Sequence, residues 1–201
     1  HRFQNSISRR LLHLCISVRD QVLTLMAEER RLVLFIEYVQ GAGSLRDRQT
    51  VTVTAADGAQ RDIHADAIVI ATGSSWPNLP QFPIDGQQLL TSQHLLDLDR
   101  IPESLLIVGA GVEGCEFAAL YSGLGTTVTM VELMARVLPL EDEDISSMME
   151  RELKKRGVTV LTGTTVENLE RSPAAITAHL KDGTQVVAEK LLVSVGRGMN
   201  S

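Results

Sequence analysis

The sequence predicts an α/β protein in which a doubly wound parallel sheet follows a smaller segment that contains a β-meander. Two observations lead to this prediction. In the second half of the chain, apolar strand patterns alternate with helical patterns, as crossover connections between parallel strands require. In both halves an Asp-Gly turn precedes an apolar run that ends in small residues, and the interval from Gly58 to Ala71 equals that from Gly183 to Gly196. Each half is therefore predicted to carry the closing part of a nucleotide-binding unit.

The first half is predicted to contain one helix and several strands. Apolar residues three or four apart predict a helix over residues 6–31, and residues 32–39 predict a strand closed by glycines at positions 41 and 43. Further strands are predicted at residues 50–54, 61–64 and 67–71, with a hairpin turn at Asp57-Gly58. Three of the six prolines lie between residues 77 and 83, which indicates a connector. We therefore expect one domain at residues 1–83 and a second at residues 84–201.

The second half is predicted to supply the parallel sheet and its crossover helices. Strand patterns occur at residues 104–108, 127–131, 158–161, 165–169, 176–180, 185–188 and 191–195, and helical patterns at residues 112–122 and 144–156. The first unit lacks an early strand followed by a glycine loop, so we expect its opening strand–helix turn to lie upstream of this sequence.

Composition excludes several classes of function. Lys and Arg total 19 against 25 Asp and Glu, so the net charge of −6 disfavours binding to nucleic acid. No apolar run is long enough to span a membrane, and we expect a cytoplasmic protein. Cys15 and Cys115 cannot form a disulfide framework or a tetrahedral metal site, so we predict two free thiols and no metal. Because the chain begins with His1 and ends directly after a strand pattern, we expect both ends to be cut.

A glycine-rich loop follows the strand pattern at residues 104–108. The loop consists of Gly109, Ala110, Gly111, Val112, Glu113 and Gly114. In a G-x-G-x-x-G loop between a strand and a helix, the first glycine permits a tight turn, the second admits a pyrophosphate and the third packs the helix on the strand. The helix N-terminus then offers unpaired N–H groups to the phosphates. The sequence thus predicts a Rossmann-type dinucleotide site, and the alternative is a glycine-rich packing turn without a ligand.

An acidic residue ends the next strand pattern. Glu132 lies about 20 residues after the loop, where a carboxylate accepts hydrogen bonds from the adenosine ribose hydroxyls. A 2′-phosphate would be repelled there, so the sequence favours NAD over NADP. Arg136 would either serve such a phosphate or pair with the acidic run at residues 141–144, and the second interpretation is favoured.

Four motifs, in order along the chain, resemble the FAD-dependent pyridine nucleotide–disulfide oxidoreductases. Residues 68–74 (Ile-Val-Ile-Ala-Thr-Gly-Ser) resemble the strand that closes the FAD domain, and residues 107–118 resemble the NAD loop with its Gly-x-Gly-x-x-Gly-x-Glu-x-Ala pattern. Residues 131–142 resemble the stretch after the second NAD strand, and Val195-Gly196-Arg197 with Asn200 resembles the motif that ends the NAD domain. Within the family, the resemblance is greatest to the dihydrolipoyl dehydrogenases, with soluble transhydrogenases and mercuric reductases as near relatives.

The resemblance implies two cofactors, NAD(H) and FAD. It places Glu116 near the nicotinamide amide, and Val166 and Gly196 in the lining of the NAD site. It assigns contacts with FAD to four residues: Gly43, Thr72, Gly73 and Ser74. Three of these assignments have a structural alternative: Glu116 would also suit a plain surface acid, Gly43 a turn and Thr72 a strand end.

The resemblance also implies an activity. Such enzymes are homodimers in which hydride passes between NAD(H) and FAD. Electrons also pass between FAD and a pair of cysteines that serves a dithiol/disulfide substrate such as dihydrolipoamide. This sequence lacks the family's FAD-domain glycine loop, its pair of cysteines separated by four residues and its C-terminal His–Glu pair. We therefore expect a fragment of a dihydrolipoyl dehydrogenase that binds NAD(H) weakly, contains no catalytic residue and has no turnover of its own.

Other functions stay open at this point. A transhydrogenase, a mercuric or glutathione reductase-like enzyme and a non-enzymatic NAD-binding module are the alternatives. A short-chain dehydrogenase is disfavoured because neither Tyr38 nor Tyr121 is followed by a lysine one helical turn later. Two departures from the family pattern concern NAD binding: Glu113 replaces an apolar residue, and Gly198-Met199 replaces Arg-Pro.

Overall fold

The structure, a computed structural model, describes residues 39–200 and divides them into two compact units. The smaller unit contains residues 39–73 with residues 199–200, and the larger contains residues 74–198. The predicted helix at residues 6–31, nearly all of the predicted strand at 32–39 and Cys15 lie outside the described residues. The predicted domain boundary between residues 83 and 84 stays a prediction.

The smaller unit is built on a three-stranded antiparallel meander. Its strands are β1 (Ala42–Leu45), β2 (Thr50–Thr54) and β3 (Gln60–His64), in the order β1-β2-β3. The β2–β3 hairpin confirms the prediction from Asp57-Gly58, since Gly58 has the positive φ of 85° that such a turn needs. Gly43 lies in β1 opposite Val53, so the turn that the sequence allowed as the alternative to an FAD contact for Gly43 is wrong.

The predicted strand at residues 67–71 is wrong. These residues have no regular secondary structure, and the Val69 and Ile70 side chains are 87% and 67% exposed. A buried parallel strand exists only where neighbouring strands accept its backbone hydrogen bonds. Within residues 39–200, no strand pairs with residues 67–71, so the apolar run lacks the partners that would make it a strand.

The larger unit is built on a five-stranded parallel sheet of order β5-β12-β6-β7-β8. Its strands are β5 (Leu89–Leu90), β6 (Ser104–Val108), β7 (Thr127–Glu132), β8 (Thr159–Thr162) and β12 (Lys190–Val193). Three helices connect them: α1 (Ser92–Leu96), α2 (Val112–Gly123) and α3 (Glu143–Lys155). Two further strands have two residues each: β4 (Ser74–Ser75) and β13 (Gly198–Met199).

The two faces of the parallel sheet are covered differently. Alternate residues of β6 point to opposite faces, so Leu105 and Ile107 pack in the core beneath α2 and α3, and Leu106 and Val108 pack in the other core. The second core is closed by an antiparallel meander of β9 (Val166–Arg171), β10 (Ile176–Leu180) and β11 (Gln185–Ala188). The mixed α/β fold that the sequence predicts is therefore present, with a helical layer on one face and a meander on the other.

The sequence predictions for this unit agree closely with the structure. The strands at residues 104–108, 176–180 and 185–188 have the predicted bounds, and the predicted helices differ by only one residue at an end. The predicted strand at 191–195 ends earlier, at Val193, because Ser194–Gly196 turn into the loops at the sheet edge. Among the helices within residues 39–200, none has the length and apolar character that crossing a bilayer requires.

Candidate dinucleotide-binding site

A cleft of about 510 Å³ lies in the larger unit at the carboxyl ends of β6, β7, β8 and β12. The carboxyl ends of parallel strands meet at one edge of a sheet, so the loops that follow them line the same cleft. The glycine loop after β6 contributes Gly109 and Gly111, the segment after β7 contributes Glu132 to Met134, and Thr164 and Thr165 follow β8. Ser194 to Gly196 follow β12.

The first and third glycines of the loop are required by close backbone packing. Gly109 has a φ of 104°, and its N–H donates to the Val131 carbonyl at 2.8 Å. A Cβ at Gly109 would lie closer than 3.0 Å to the Ser194 carbonyl oxygen, and one at Gly114 equally close to the Gly109 carbonyl oxygen. These two glycines let β12, β6 and α2 approach one another. For Gly114 this is the packing role that the sequence predicts, and the positive φ of Gly109 fits the tight turn predicted there.

The second glycine faces open space. Gly111 is the N-cap of α2 with a φ of −69°, and a Cβ there would have no atom within 4 Å. The first-turn N–H groups of α2 and the positive end of its dipole point to this space. Since Gly111 lines the cleft, the arrangement fits the pyrophosphate of a dinucleotide.

Glu132 ends β7 inside the cleft wall and is 8% exposed. Its Oε2 accepts the Ala110 N–H at 2.6 Å and its Oε1 accepts the Met134 N–H at 2.8 Å. Each carboxylate oxygen has a second lone pair, so both remain able to accept a ribose hydroxyl. The buried negative charge opposes a 2′-phosphate at this position, as the sequence predicts.

Arg136 does not serve the cleft. Its guanidinium donates to the Glu141 carbonyl at 3.0 Å and pairs with Glu143 at 2.9 Å. This confirms the interpretation that Arg136 pairs with the acidic run. The Arg136 guanidinium is therefore not placed to bind a 2′-phosphate in the cleft.

The structure gathers only some of the other residues assigned to the NAD site. Gly196 lines the cleft, whereas Val166 is 7% exposed in the core beneath the meander, next to the lining residue Thr165. Glu116 is exposed on α2 and does not line the cleft. Val112 is 58% exposed at the first position of α2.

The four residues assigned to FAD are all held by the protein itself or open to solvent. In the larger unit, Ser74 Oγ accepts from Arg197 Nε at 2.6 Å. In the smaller unit, the Thr72 carbonyl accepts from Asn200 Nδ2 at 3.2 Å, and the Gly73 carbonyl accepts the Asn200 N–H at 3.1 Å. None of the four lines the cleft.

Sequence reasoning missed several lining residues. Thr164, Thr165 and Ser194 directly follow β8 and β12, so the rule that sites lie at strand carboxyl ends would have indicated them. Leu79 and Phe82 also line the cleft. Both lie in the proline-rich connector, and no pattern in the sequence indicated that they would line the site.

The cysteine in the described residues is not suited to redox chemistry. Cys115 is 2% exposed, and burial, with smaller contributions from Glu132 and Glu116, raises the pKa of its thiol to about 11. Its Sγ donates to the Ala110 carbonyl at 3.5 Å. The thiolate is the reactive form of cysteine, and the raised pKa keeps the Cys115 thiol protonated at neutral pH. Cys115 is therefore suited to packing beneath the glycine loop and not to exchanging electrons.

Comparison with known proteins places these features in a family. Residues 11–201 match the pyridine nucleotide-disulphide oxidoreductases. The chain is 37% identical over 166 residues to a dihydrolipoyl dehydrogenase of Bacillus subtilis, with 81% of this chain and 35% of the relative covered. It is 34% identical over 176 residues to NAD(P)H dehydrogenase (quinone) of Mycobacterium tuberculosis, with 85% and 36% covered. The chain thus spans about a third of the length of these curated relatives.

Solved structures show the same likeness. LpdA from Mycobacterium tuberculosis has a TM-score of 0.72 and 30% identity, with 96% of this chain and 42% of that chain covered. The HOCl-induced flavoprotein disulfide reductase RclA from Escherichia coli has a TM-score of 0.65 and 27% identity, with 82% and 37% covered. The glycine loop and Glu132 lie within the matched residues, and this chain belongs to the pyridine nucleotide-disulphide oxidoreductases, a family of flavoproteins that use FAD and NAD(H).

Proposed function

We propose that this chain is the NAD(H)-binding part of a dihydrolipoyl dehydrogenase, with NAD preferred over NADP. One observation carries the proposal: the open space at Gly111 and the Glu132 carboxylate lie in the same cleft. A dinucleotide needs a phosphate site and a ribose acceptor side by side, and this cleft offers both.

In this proposal the residues of the chain bind and orient. The first turn of α2 holds the pyrophosphate at Gly111, and Glu132 accepts the adenosine ribose hydroxyls. The Ala110 and Met134 N–H groups fix the orientation of that carboxylate before any ligand arrives. The bound dinucleotide supplies the hydride chemistry, and the protein supplies position and charge.

Two observations support a dithiol/disulfide reaction for the whole enzyme. Several relatives between 34% and 39% identical are named dihydrolipoyl dehydrogenase. The segments at residues 68–74 and 195–200 carry the motifs by which the sequence resembles the FAD-containing enzymes. We infer a homodimeric, cytoplasmic parent enzyme in which FAD relays electrons between NAD(H) and a dithiol such as dihydrolipoamide.

The test is calorimetric titration of the 201-residue chain with NADH and with NADPH at fixed salt. We expect NADH to bind at least about tenfold more tightly than NADPH, which corresponds to ~1.4 kcal/mol. In Glu132→Gln the preference should shrink, because the amide neither repels a 2′-phosphate nor offers two acceptor oxygens. Glu152→Gln, an exposed carboxylate on α3, is the control of equal charge and should keep the preference.

Glu132→Gln also leaves one buried backbone N–H without an acceptor, so its folding must be measured separately. We expect a loss of about 1–3 kcal/mol in the free energy of unfolding. Far-UV circular dichroism would show whether the variant is folded at the titration temperature. Equal binding of NADH and NADPH to the unmodified chain would contradict the preference, and binding of neither would contradict the proposal as a whole.

A quinone as the final electron acceptor is the second candidate. The specific support is the identity of 34% over 85% of this chain to NAD(P)H dehydrogenase (quinone) of Mycobacterium tuberculosis. NADH oxidation by the flavin-loaded whole enzyme, assayed with lipoamide and with a soluble quinone, separates the two. Turnover with the quinone alone would replace the dithiol proposal.

A further inference from the structure

The first turn of α2 carries a carboxylate that is hydrogen-bonded to a residue lining the cleft. Glu113 is half-buried at the second position of the helix, and its Oε2 accepts a hydrogen bond from Ser194 Oγ at 3.0 Å. Ser194 is 6% exposed, directly follows β12 and lines the cleft. The negative charge is therefore held near the loop after β12 rather than free in solvent.

The order of the strands determines which end of a dinucleotide would meet this charge. β6 lies between β7 and β12, so Glu132 after β7 and Ser194 after β12 lie on opposite sides of the glycine loop. With the adenosine ribose at Glu132 and the pyrophosphate at Gly111, the second nucleoside extends toward Ser194 and Gly196. This assignment of ends rests on the proposed function.

The charge of that second nucleoside depends on its oxidation state. The nicotinamide ring of NAD⁺ carries one positive charge, and acceptance of a hydride to form NADH removes it. We propose that Glu113 makes the cleft discriminate between the two states and bind NAD⁺ in preference to NADH. The attraction acts at the edge of a partly buried cleft, where it is screened less than in bulk water.

The other charged side chains on α2 and in residues 194–200 are Glu116 and Arg197. Neither Glu113 nor Glu116 lines the cleft itself, but Glu113 is hydrogen-bonded to the lining residue Ser194, whereas Glu116, one turn later on α2, is exposed. The Arg197 guanidinium lies 3.8 Å from the centre of the Trp76 ring and donates to Ser74. Glu113 also repels the pyrophosphate, but that repulsion is the same for NAD⁺ and NADH and cancels in a ratio of their affinities.

The experiment measures the dissociation constants of NAD⁺ and NADH by calorimetry at fixed salt for the 201-residue chain and for Glu113→Gln. Glutamine keeps the shape of the side chain and an acceptor for Ser194 Oγ, so the substitution removes the charge alone. We expect the ratio Kd(NADH)/Kd(NAD⁺) to fall by about fivefold in Glu113→Gln. Glu152→Gln, with the same change in net charge, should leave the ratio unchanged. Glu113→Lys should lower the ratio further than Glu113→Gln.

Two outcomes would overturn the inference, and they differ. If both ligands bind Glu113→Gln more tightly by the same factor, the charge acts on the pyrophosphate alone; the discrimination is then wrong while the proposed NAD site stands. If the unmodified chain binds neither ligand, the proposed function fails and the inference fails with it.

Discussion

At the scale of single residues, the three loop glycines have two different duties. Gly109 and Gly114 are needed for the fold, because a Cβ at either would press on a backbone carbonyl that cannot move cheaply. The proposed function assigns Gly111 to the ligand, since its surroundings would accommodate a Cβ and its φ is ordinary. Under that proposal, the same residue type in one short motif serves packing twice and binding once.

This division predicts opposite results for two alanine substitutions. Gly114→Ala should lower the free energy of unfolding by at least ~2 kcal/mol, since the clash outweighs the better helix propensity of alanine. Gly111→Ala should cost no more than about 1 kcal/mol at this N-cap position. It should nevertheless weaken NADH binding by at least about tenfold, because the Cβ occupies the space for the pyrophosphate.

Urea unfolding and calorimetric titration of the two variants provide the check, with each variant serving as the control for the other. Tight NADH binding by Gly111→Ala would show that the pyrophosphate lies elsewhere. Normal stability of Gly114→Ala would show that α2 and β6 can move apart.

At the scale of elements, one pair of similar segments shows how context decides a strand. Residues 67–71 and 191–195 have the same apolar character and the same distance from an Asp-Gly turn. Residues 191–193 form β12 between β5 and β6, whereas residues 67–71 have no paired strand within the described residues. An apolar run favours burial, but it becomes a strand of a sheet only where neighbouring strands pair with its backbone.

A second element-scale feature is the turn that leads into β5. Asp85 Oδ1 accepts the N–H groups of Gln87, Gln88 and Leu89 at 2.8, 2.8 and 3.0 Å, and its Oδ2 pairs with Arg171 of β9. Burial raises the pKa of Asp85, but the three N–H groups and Arg171 together outweigh it and lower the pKa to about 2. The carboxylate thus ties the first strand of the parallel sheet to the meander.

This carboxylate predicts a pH dependence of stability. Because the pKa of Asp85 is lower in the folded state than its ordinary value of 3.8, its stabilisation is present above about pH 4 and is lost as the pH falls toward 2. Asp85→Asn should lower the free energy of unfolding by about 1–2 kcal/mol at pH 7. The difference between variant and unmodified chain should shrink between pH 4 and pH 2.

Chemical unfolding of Asp85→Asn and of the unmodified chain across that pH range measures the effect. Asp66→Asn, which changes an exposed carboxylate, is the control and should leave the free energy of unfolding unchanged. A difference that stays constant down to pH 2 would mean that the charge of Asp85 does not contribute.

At the scale of the whole molecule, the described residues contain a binding cleft and lack the parts that move electrons. The sequence has two cysteines, Cys15 and Cys115, which are far apart along the chain. Cys115 is buried with a pKa of about 11. A disulfide reaction needs a reactive thiolate pair near the flavin, and Cys115, the cysteine within residues 39–200, is not a reactive thiolate.

We therefore expect the 201-residue chain to bind NAD(H) without turning it over. Incubation with dihydrolipoamide, NAD⁺ and added FAD should produce no NADH absorbance above a no-protein blank. A dihydrolipoyl dehydrogenase from Bacillus subtilis under the same conditions is the positive control. NADH formation by the chain alone would contradict the expectation and require a redox centre other than a cysteine pair.

The local features of this protein could be predicted from its residues alone. The strand–glycine loop–helix unit, the Asp57-Gly58 hairpin and the acidic end of β7 all follow from residue types at fixed short spacings, and each is present in the structure. These features depend on backbone geometry that a few neighbouring residues dictate, such as the positive φ of Gly58 and Gly109.

The features that join distant residues depend on how the folded chain packs, and the sequence patterns did not predict them. It placed Val166 in the core and Thr165 in the cleft, tied Glu113 to Ser194 and left residues 67–71 without a strand partner. Each of these outcomes depends on which segment arrives from elsewhere in the chain to accept a hydrogen bond or cover an apolar face. A short-range pattern does not predict which distant segment will pack there. The free energy that selects the segment is gained only when the distant segments pack together.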